Sequence, residues 1–200
     1  MITINPLLPD KVYHIYNHAN GDENLFRAKE NYRYFLTKYS EYIYPVADTY
    51  AYCLMPNHFH LMVRIRKEEE LLAFVNLNLQ GFKNLEGLVS QQFSNLFNSY
   101  TKSYNKMYER KGSLFIPRFK RKIVEDENYF TQLIAYIHLN PVRHGFCEQI
   151  DDWEFSSFHA YYENKSSKIN RKYLEDWFGN RTALLEFHRT IKPNESLFEF

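Results

Sequence analysis

The sequence predicts an α+β sandwich, a mainly antiparallel sheet with helices packed on one face. Short runs rich in strand-forming residues alternate with longer segments whose apolar side chains recur at helical spacing. The run His58 to Ile65 keeps the two-residue period of a pleated strand. Beyond Asp152 the strand signals give way to short helical pieces.

Val12 to Asn17 reads as the first strand, ending at the turn-like Asn20-Gly21-Asp22. Glu23 to Tyr42 follows as a helix, with Leu25, Phe26, Phe35, Leu36 and Tyr39 at helical spacing. After Pro45 a second strand covers Asp48 to Leu54, and Met55-Pro56-Asn57 separates it from the third, His58 to Ile65. Glu69 to Tyr108 reads as helical, with Gly81 and Gly87 suggesting a break. The loop Arg110 to Ser113 leads to a fourth strand, Leu114 to Val124. The acidic Glu125-Asp126-Glu127 precedes a helix over Asn128 to Leu139, its charge suited to the positive end of the helix dipole, and Asn140-Pro141 is expected to end it. Helical pieces at Phe158 to Glu163, Arg171 to Phe178 and Arg181 to Ile191 complete the chain, giving a catalytic unit over 1–152 and a helical extension over 153–200 packed on it. Tyr161, Leu174, Trp177, Phe178, Leu184 and Phe187 supply its apolar anchors.

With 44% hydrophobic residues, a chain of 200 can bury a sizeable core. The net charge of +1 means that an anionic partner must be held by a local patch. Two cysteines, Cys53 and Cys147, are too few for a disulfide framework and suit a reducing compartment. No apolar run approaches bilayer length and the first residues lack a secretory pattern, so a cytoplasmic protein without a membrane partner is expected. Seventeen Tyr and seventeen Phe offer faces for stacking on unpaired bases, although AT-rich codons alone would enrich the same residues.

Three features carry chemistry. His58 and His60 lie two apart in a strand, so both imidazoles leave the same face and could share a cation; two half-exposed strand histidines are the bland alternative. On the helix after the basic strand, Phe130, Leu133, Ile134 and Ile137 form an apolar stripe with Tyr136 and Asn140 on its flank. Tyr136 could present a phenol and Asn140 an amide oxygen there, or Tyr136 could be one more half-buried tyrosine and Asn140 a helix end. Between Lys102 and Lys122, eight Lys or Arg stand against a single acid, Glu109, interleaved with Tyr100, Tyr104, Tyr108, Phe115 and Phe119. That mixture suits an unpaired nucleic-acid strand or a solvated charged face.

In this order, Tyr13 to Asn17, Met55 to Val63, Pro117 to Lys120, Tyr136 to Gly145 and Trp153 to Ser157 resemble the single-tyrosine HUH transposases, most closely the REP-associated tyrosine transposases. The resemblance spans roughly residues 10 to 160. It implies a ferredoxin-like HUH fold and a metal-dependent single-stranded DNA endonuclease and strand transferase acting on hairpin DNA. By that resemblance His58, His60 and Asn140 correspond to metal ligands for Mg2+ or Mn2+, and Tyr136 to the nucleophile that forms a 5′-phosphotyrosine. Tyr129, seven residues earlier on the same flank, is a reserve nucleophile. Arg110, Lys111, Arg118, Lys120, Arg121 and Lys122 are the candidate DNA contacts, and no nucleotide cofactor is needed. Relatives often carry Asn-Arg where this chain has Asn17-His18, and insertion-sequence relatives often carry Gln at the position of Asn140. Monomer and homodimer both remain compatible with the resemblance. A domesticated hairpin DNA- or RNA-binding protein that does not cut, and a nuclease using metal-activated water, are the alternatives.

Overall fold

The structure is a computed structural model that describes residues 6–78, 85–163 and 166–198. Its elements run β1 (Val12–His18), α1 (Lys29–Tyr42), β2 (Ala47–Leu54), β3 (His58–Ile65), α2 (Glu68–Asn78), α3 (Leu85–Met107), β4 (Lys120–Ile123), α4 (Glu127–Arg143), α5 (Phe158–Tyr162), α6 (Arg171–Trp177) and α7 (Arg181–Thr190). Short 3-10 turns occupy Ile150–Asp152 and Glu195–Phe198.

The four strands form one sheet in the order β2-β3-β1-β4, with every neighbouring pair antiparallel. This is the ferredoxin-like arrangement: the two crossovers return over one face, which α1 and α3 cover. Tyr13 and Ile15 of β1 and Phe59, Leu61 and Val63 of β3 point into that layer, where Phe35, Phe93, Phe97 and Tyr100 meet them. The α+β class and the antiparallel sheet stand as expected, but the expectation of helices on one face does not. The second face is covered by α4 and by the chain beyond it, and Tyr50, Cys53 and Met62 are buried there against Leu133, Ile134, Ile137, Tyr161, Leu174 and Leu184. The reason is visible in β3, where Leu61, Met62 and Val63 are apolar in succession and all buried. A strand apolar on both sides requires cover on both.

Three boundaries differ from expectation, each for a local reason. First, α1 begins at Lys29 rather than Glu23. The Asn31 side chain accepts the N–H groups of Arg27 and Ala28 at 2.9 and 3.0 Å, and the carbonyls of Asn24 and Leu25 are taken by the Tyr104 and Tyr100 hydroxyls of α3, both at 2.5 Å. Second, β4 is confined to Lys120–Ile123. Pro117 has no N–H to donate and Arg118 sits at φ +64°, so residues 114–119 join β1 only through isolated contacts such as Ile116 N–H to His18 C=O at 3.0 Å. Third, α4 runs through Asn140-Pro141 to Arg143. The last turn survives the missing proline N–H because His144, Gly145 and Phe146 donate back to Asn140, Val142 and Pro141. Of the two glycines expected to break the long helical stretch, Gly81 lies outside the described residues and Gly87 is inside α3.

The outer edge of β2 is bonded to the chain that follows Asp152. Leu54 N–H donates to Phe155 C=O, Ser157 N–H to Tyr52 C=O, Asn170 N–H to Thr49 C=O and the Tyr161 hydroxyl to Tyr50 C=O, at 3.0, 2.9, 2.9 and 2.6 Å. The Trp153 indole N–H adds a bond to Leu54 C=O at 3.0 Å. Among the described residues no helix is long and apolar enough to cross a membrane.

Candidate active site

The alternation of β3 sends Phe59 into the aromatic layer against Phe35, Phe97 and Phe115, with ring centroids 5.5, 5.7 and 6.2 Å away, and turns His58 and His60 to the opposite face. There they meet α4, whose Tyr129, Tyr136 and Asn140 recur seven and four residues apart on one stripe. The ring of Tyr136 stands edge-on to His60 with centroids 5.2 Å apart, and Asn140 Oδ1 lies 3.2 Å from His58 Nε2. All four candidates from the sequence therefore converge between β3 and α4, and all are buried.

The hydrogen bonding around His58 defines its protonation. Its Nδ1 lies 2.8 Å from Asn57 Oδ1, an oxygen that can only accept, so Nδ1 carries the proton and Nε2 the lone pair. That lone pair faces another acceptor, Asn140 Oδ1, while Asn140 Nδ2 is buried with no partner. Turning the amide over would supply a proton to Nε2 and orphan the oxygen instead. The two converging acceptors, His58 Nε2 and Asn140 Oδ1, are of the kind a divalent cation takes, with His60 as the candidate third ligand. Among the described residues no three His, Cys, Asp or Glu side chains form a cage for one, so a cation here would have to draw on the amide as well.

His60 is held from behind by a residue the sequence reading did not single out. His14, paired across the sheet with Met62, places Nε2 3.0 Å from His60 Nδ1, and the Tyr129 hydroxyl lies 3.4 Å from His14 Nδ1. In the tautomer that frees His60 Nε2 for a cation, His60 Nδ1–H donates to His14, and His14 Nδ1–H donates to Tyr129. Burial keeps these rings neutral: it drives the His14 pKa down to about 3, that of His58 to about 4 and that of His60 well below the usual imidazole value. A neutral imidazole is the form that binds a metal. The signal for His14 was its position in Tyr13 to Asn17, two residues from Tyr16 on the same strand face.

Three tyrosines surround these histidines. Tyr16, whose ring is 5.7 Å from that of His60, has its pKa pushed to about 12 by burial and by nearby Tyr136; burial likewise raises that of Tyr129. Tyr136 is the one that lies beneath a guanidinium, with Arg143 4.9 Å from its ring centroid, and Phe198 stacks on it at 4.2 Å. Further out, His18 stacks on His58 at 4.6 Å and His144 approaches it at 5.3 Å.

The basic residues divide between the two faces. Lys120 and Lys122 pair with Tyr16 and His14 and share the face of the histidines, Lys122 lying 4.2 Å from the Tyr129 ring centroid. Arg121 pairs with Ile15 and turns to the α3 face. Arg110 is engaged by Asn105 at 2.6 Å and Glu23 at 3.5 Å, which makes it a loop brace, whereas Lys111 and Arg118 are exposed.

Comparison with known proteins follows the same line. A REP-associated tyrosine transposase of Haemophilus influenzae is 29% identical over 135 residues, 66% of this chain and 68% of the relative. Another, from Escherichia coli, is 31% identical over 79 residues, 40% of this chain and 44% of the relative. The chain is similar in sequence to REP-associated tyrosine transposases. A solved structure of a REP-associated tyrosine transposase bound to a REP hairpin shares the fold, with a TM-score of 0.55 at 16% identity over 81% of this chain and 85% of that one. No family model matches the sequence. In this shared fold, the candidate nucleophile and ligands of the chain lie on β3 and α4.

Proposed function

We propose that this protein cuts and rejoins single-stranded DNA beside a hairpin through a covalent bond to Tyr136. The observation that carries the reading is the convergence of the Tyr136 ring with His60 at 5.2 Å and of Asn140 with His58 at 3.2 Å. Its transposase relatives, one of them the hairpin-bound neighbour in fold, support the substrate class.

Tyr136 Oη attacks the scissile phosphorus in line; the new P–O bond to the phenol forms as the bond to the 3′ oxygen breaks, leaving a 5′-phosphotyrosine and a free 3′-hydroxyl. His58, His60 and Asn140 would hold a divalent ion, Mg2+ or Mn2+, which when bound would supply Lewis acidity at the phosphoryl oxygens. Arg143 places positive charge over the ring that must surrender its proton. Asn57 and His14 hold the two imidazoles in the orientation that binding requires. Rejoining is the reverse attack by a 3′-hydroxyl, so no nucleotide cofactor enters.

The test is one incubation of a 5′-flanked DNA hairpin with manganese, resolved on a denaturing gel. Wild type should form a protein–DNA adduct and Tyr136→Phe should form none. Cutting without attachment would point to activated water, and binding without cutting to a recognition protein; either result sinks the covalent scheme.

A further inference from the structure

On the α3 face, past the end of β1, a cavity of about 480 Å³ opens between α3 and residues 113–121. That volume falls within the roughly 300–1,000 Å³ of sites that enclose a small ligand. Phe97, Phe115 and Phe119 form its apolar wall, with Phe97 5.0 and 5.4 Å from the other two ring centroids, and Asn98 and Thr101 supply polar atoms at the rim.

Two cations line the same cavity without a carboxylate partner among the described residues. Arg121 lies over the Phe119 ring at 4.4 Å, donates to Ser90 Oγ at 3.2 Å and keeps its Nε buried with no acceptor. Arg118 is exposed and is held at φ +64°, a backbone conformation that costs a side-chain-bearing residue energy and collects at binding sites. Uncompensated guanidinium groups call for an anion, and a wall of rings calls for a flat π system. A nucleotide offers both. Asn17 lines the cavity, and the next residue, His18, stacks on His58. One DNA strand could therefore reach both places.

We propose that this cavity receives an unpaired base of the DNA strand, stacked on Phe119, with the adjoining phosphate against Arg118 and Arg121. The inference rests on the reading of the protein as one that handles single-stranded DNA.

The experiment compares fluorescence anisotropy of labelled dT12 with that of a wholly abasic 12-mer carrying the same phosphates, for the wild type and two variants. Wild type should bind dT12 about tenfold more tightly than the abasic strand, as stacking of one or two bases supplies. Phe119→Leu should bring the two affinities to within about twofold of each other. Arg118→Gly should weaken both strands alike and reduce the salt slope by about one, while its melting temperature holds or rises because glycine suits the left-handed backbone. This variant keeps the test open should Phe119→Leu unfold. If Phe119→Leu folds and keeps the tenfold preference, or Arg118→Gly binds both strands like the wild type, the cavity is not the base site. A wild type that binds neither strand would overturn the DNA reading itself, and one that binds both equally would overturn the pocket alone.

Discussion

Phe198 lies face to face with Tyr136, ring centroids 4.2 Å apart and planes inclined by 24°, so the candidate nucleophile is covered by a side chain 62 positions further along the chain. Phe198 also contacts Tyr129 at 5.4 Å and is itself buried. We infer that this stacked ring narrows the approach of a scissile phosphate to Tyr136.

Phe198→Ala should therefore raise the initial rate of adduct formation roughly two- to tenfold, the worth of one stacked aromatic pair. Single-turnover cleavage of a labelled hairpin measures it. A slower reaction would mean that Phe198 orients Tyr136 rather than covering it.

Tyr129→Phe should still form the covalent adduct. The Tyr129 hydroxyl lies 3.4 Å from His14 and burial raises its pKa, which suits a supporting role rather than attack. Loss of the adduct in this variant, with Tyr136→Phe still reactive, would exchange the two assignments.

His14→Phe removes the 3.0 Å contact behind His60 while keeping a ring in the buried slot. Groups that orient a metal-bound imidazole are typically worth about 10- to 100-fold in affinity, so manganese should bind more weakly by that factor in calorimetry. His14→Gln, which restores a hydrogen-bonding atom, should recover part of it. Unchanged manganese affinity in both variants would remove His14 from the site's support.

A second buried histidine pair should make stability depend on pH. His138 Nδ1 lies 2.8 Å from His188 Nε2, and burial lowers both pKa values, that of His188 from 6.5 to about 4. An unfolded chain binds protons at these rings below pH 6.5 that the folded chain does not, so stability is complete above that pH and falls as the pH drops towards 4. Urea midpoints between pH 7 and pH 4 should decline, with a shallower decline in His188→Leu. Equal slopes would show that this pair does not set the dependence.

Adjacent residues should differ sharply in cost. Phe155 is buried and stacked on Tyr32 at 3.9 Å, and Phe155→Ala should cost about 3–5 kcal/mol. Glu154 pairs at the surface with Lys29 and Arg33, and Glu154→Gln should cost less than about 1 kcal/mol. Comparable losses from the two would contradict the assignment of the burden to packing.

Periodicity exposed the parts of this molecule that depend on neighbours in sequence. The two-residue repeat through His58, Phe59 and His60 was enough to put both imidazoles on one face, and the helical stripe was enough to put Tyr136 beside Asn140. What periodicity cannot show is which face of a doubly apolar strand receives which helix, so the cover over Met62 and Cys53 appeared only in three dimensions. The same limit hid His14, whose neighbour His60 is 46 residues away, and Phe198, which reaches Tyr136 from the far end of the chain. The strand before Lys120 was overextended because its residues favour strands, and Pro117 with the left-handed Arg118 overrules them locally.

The bonding along β2 has a consequence for how the molecule behaves at high concentration. An unprotected sheet edge templates pairing with another chain and with it aggregation. Here one rim is already bonded to residues 155, 157, 161 and 170, and the other is a four-residue strip bearing Lys120, Arg121 and Lys122, which repel their own copies. Removing the stretch after Asp152 would thus do more than shorten the protein: it would uncover a β-edge and open a route to insoluble stacking.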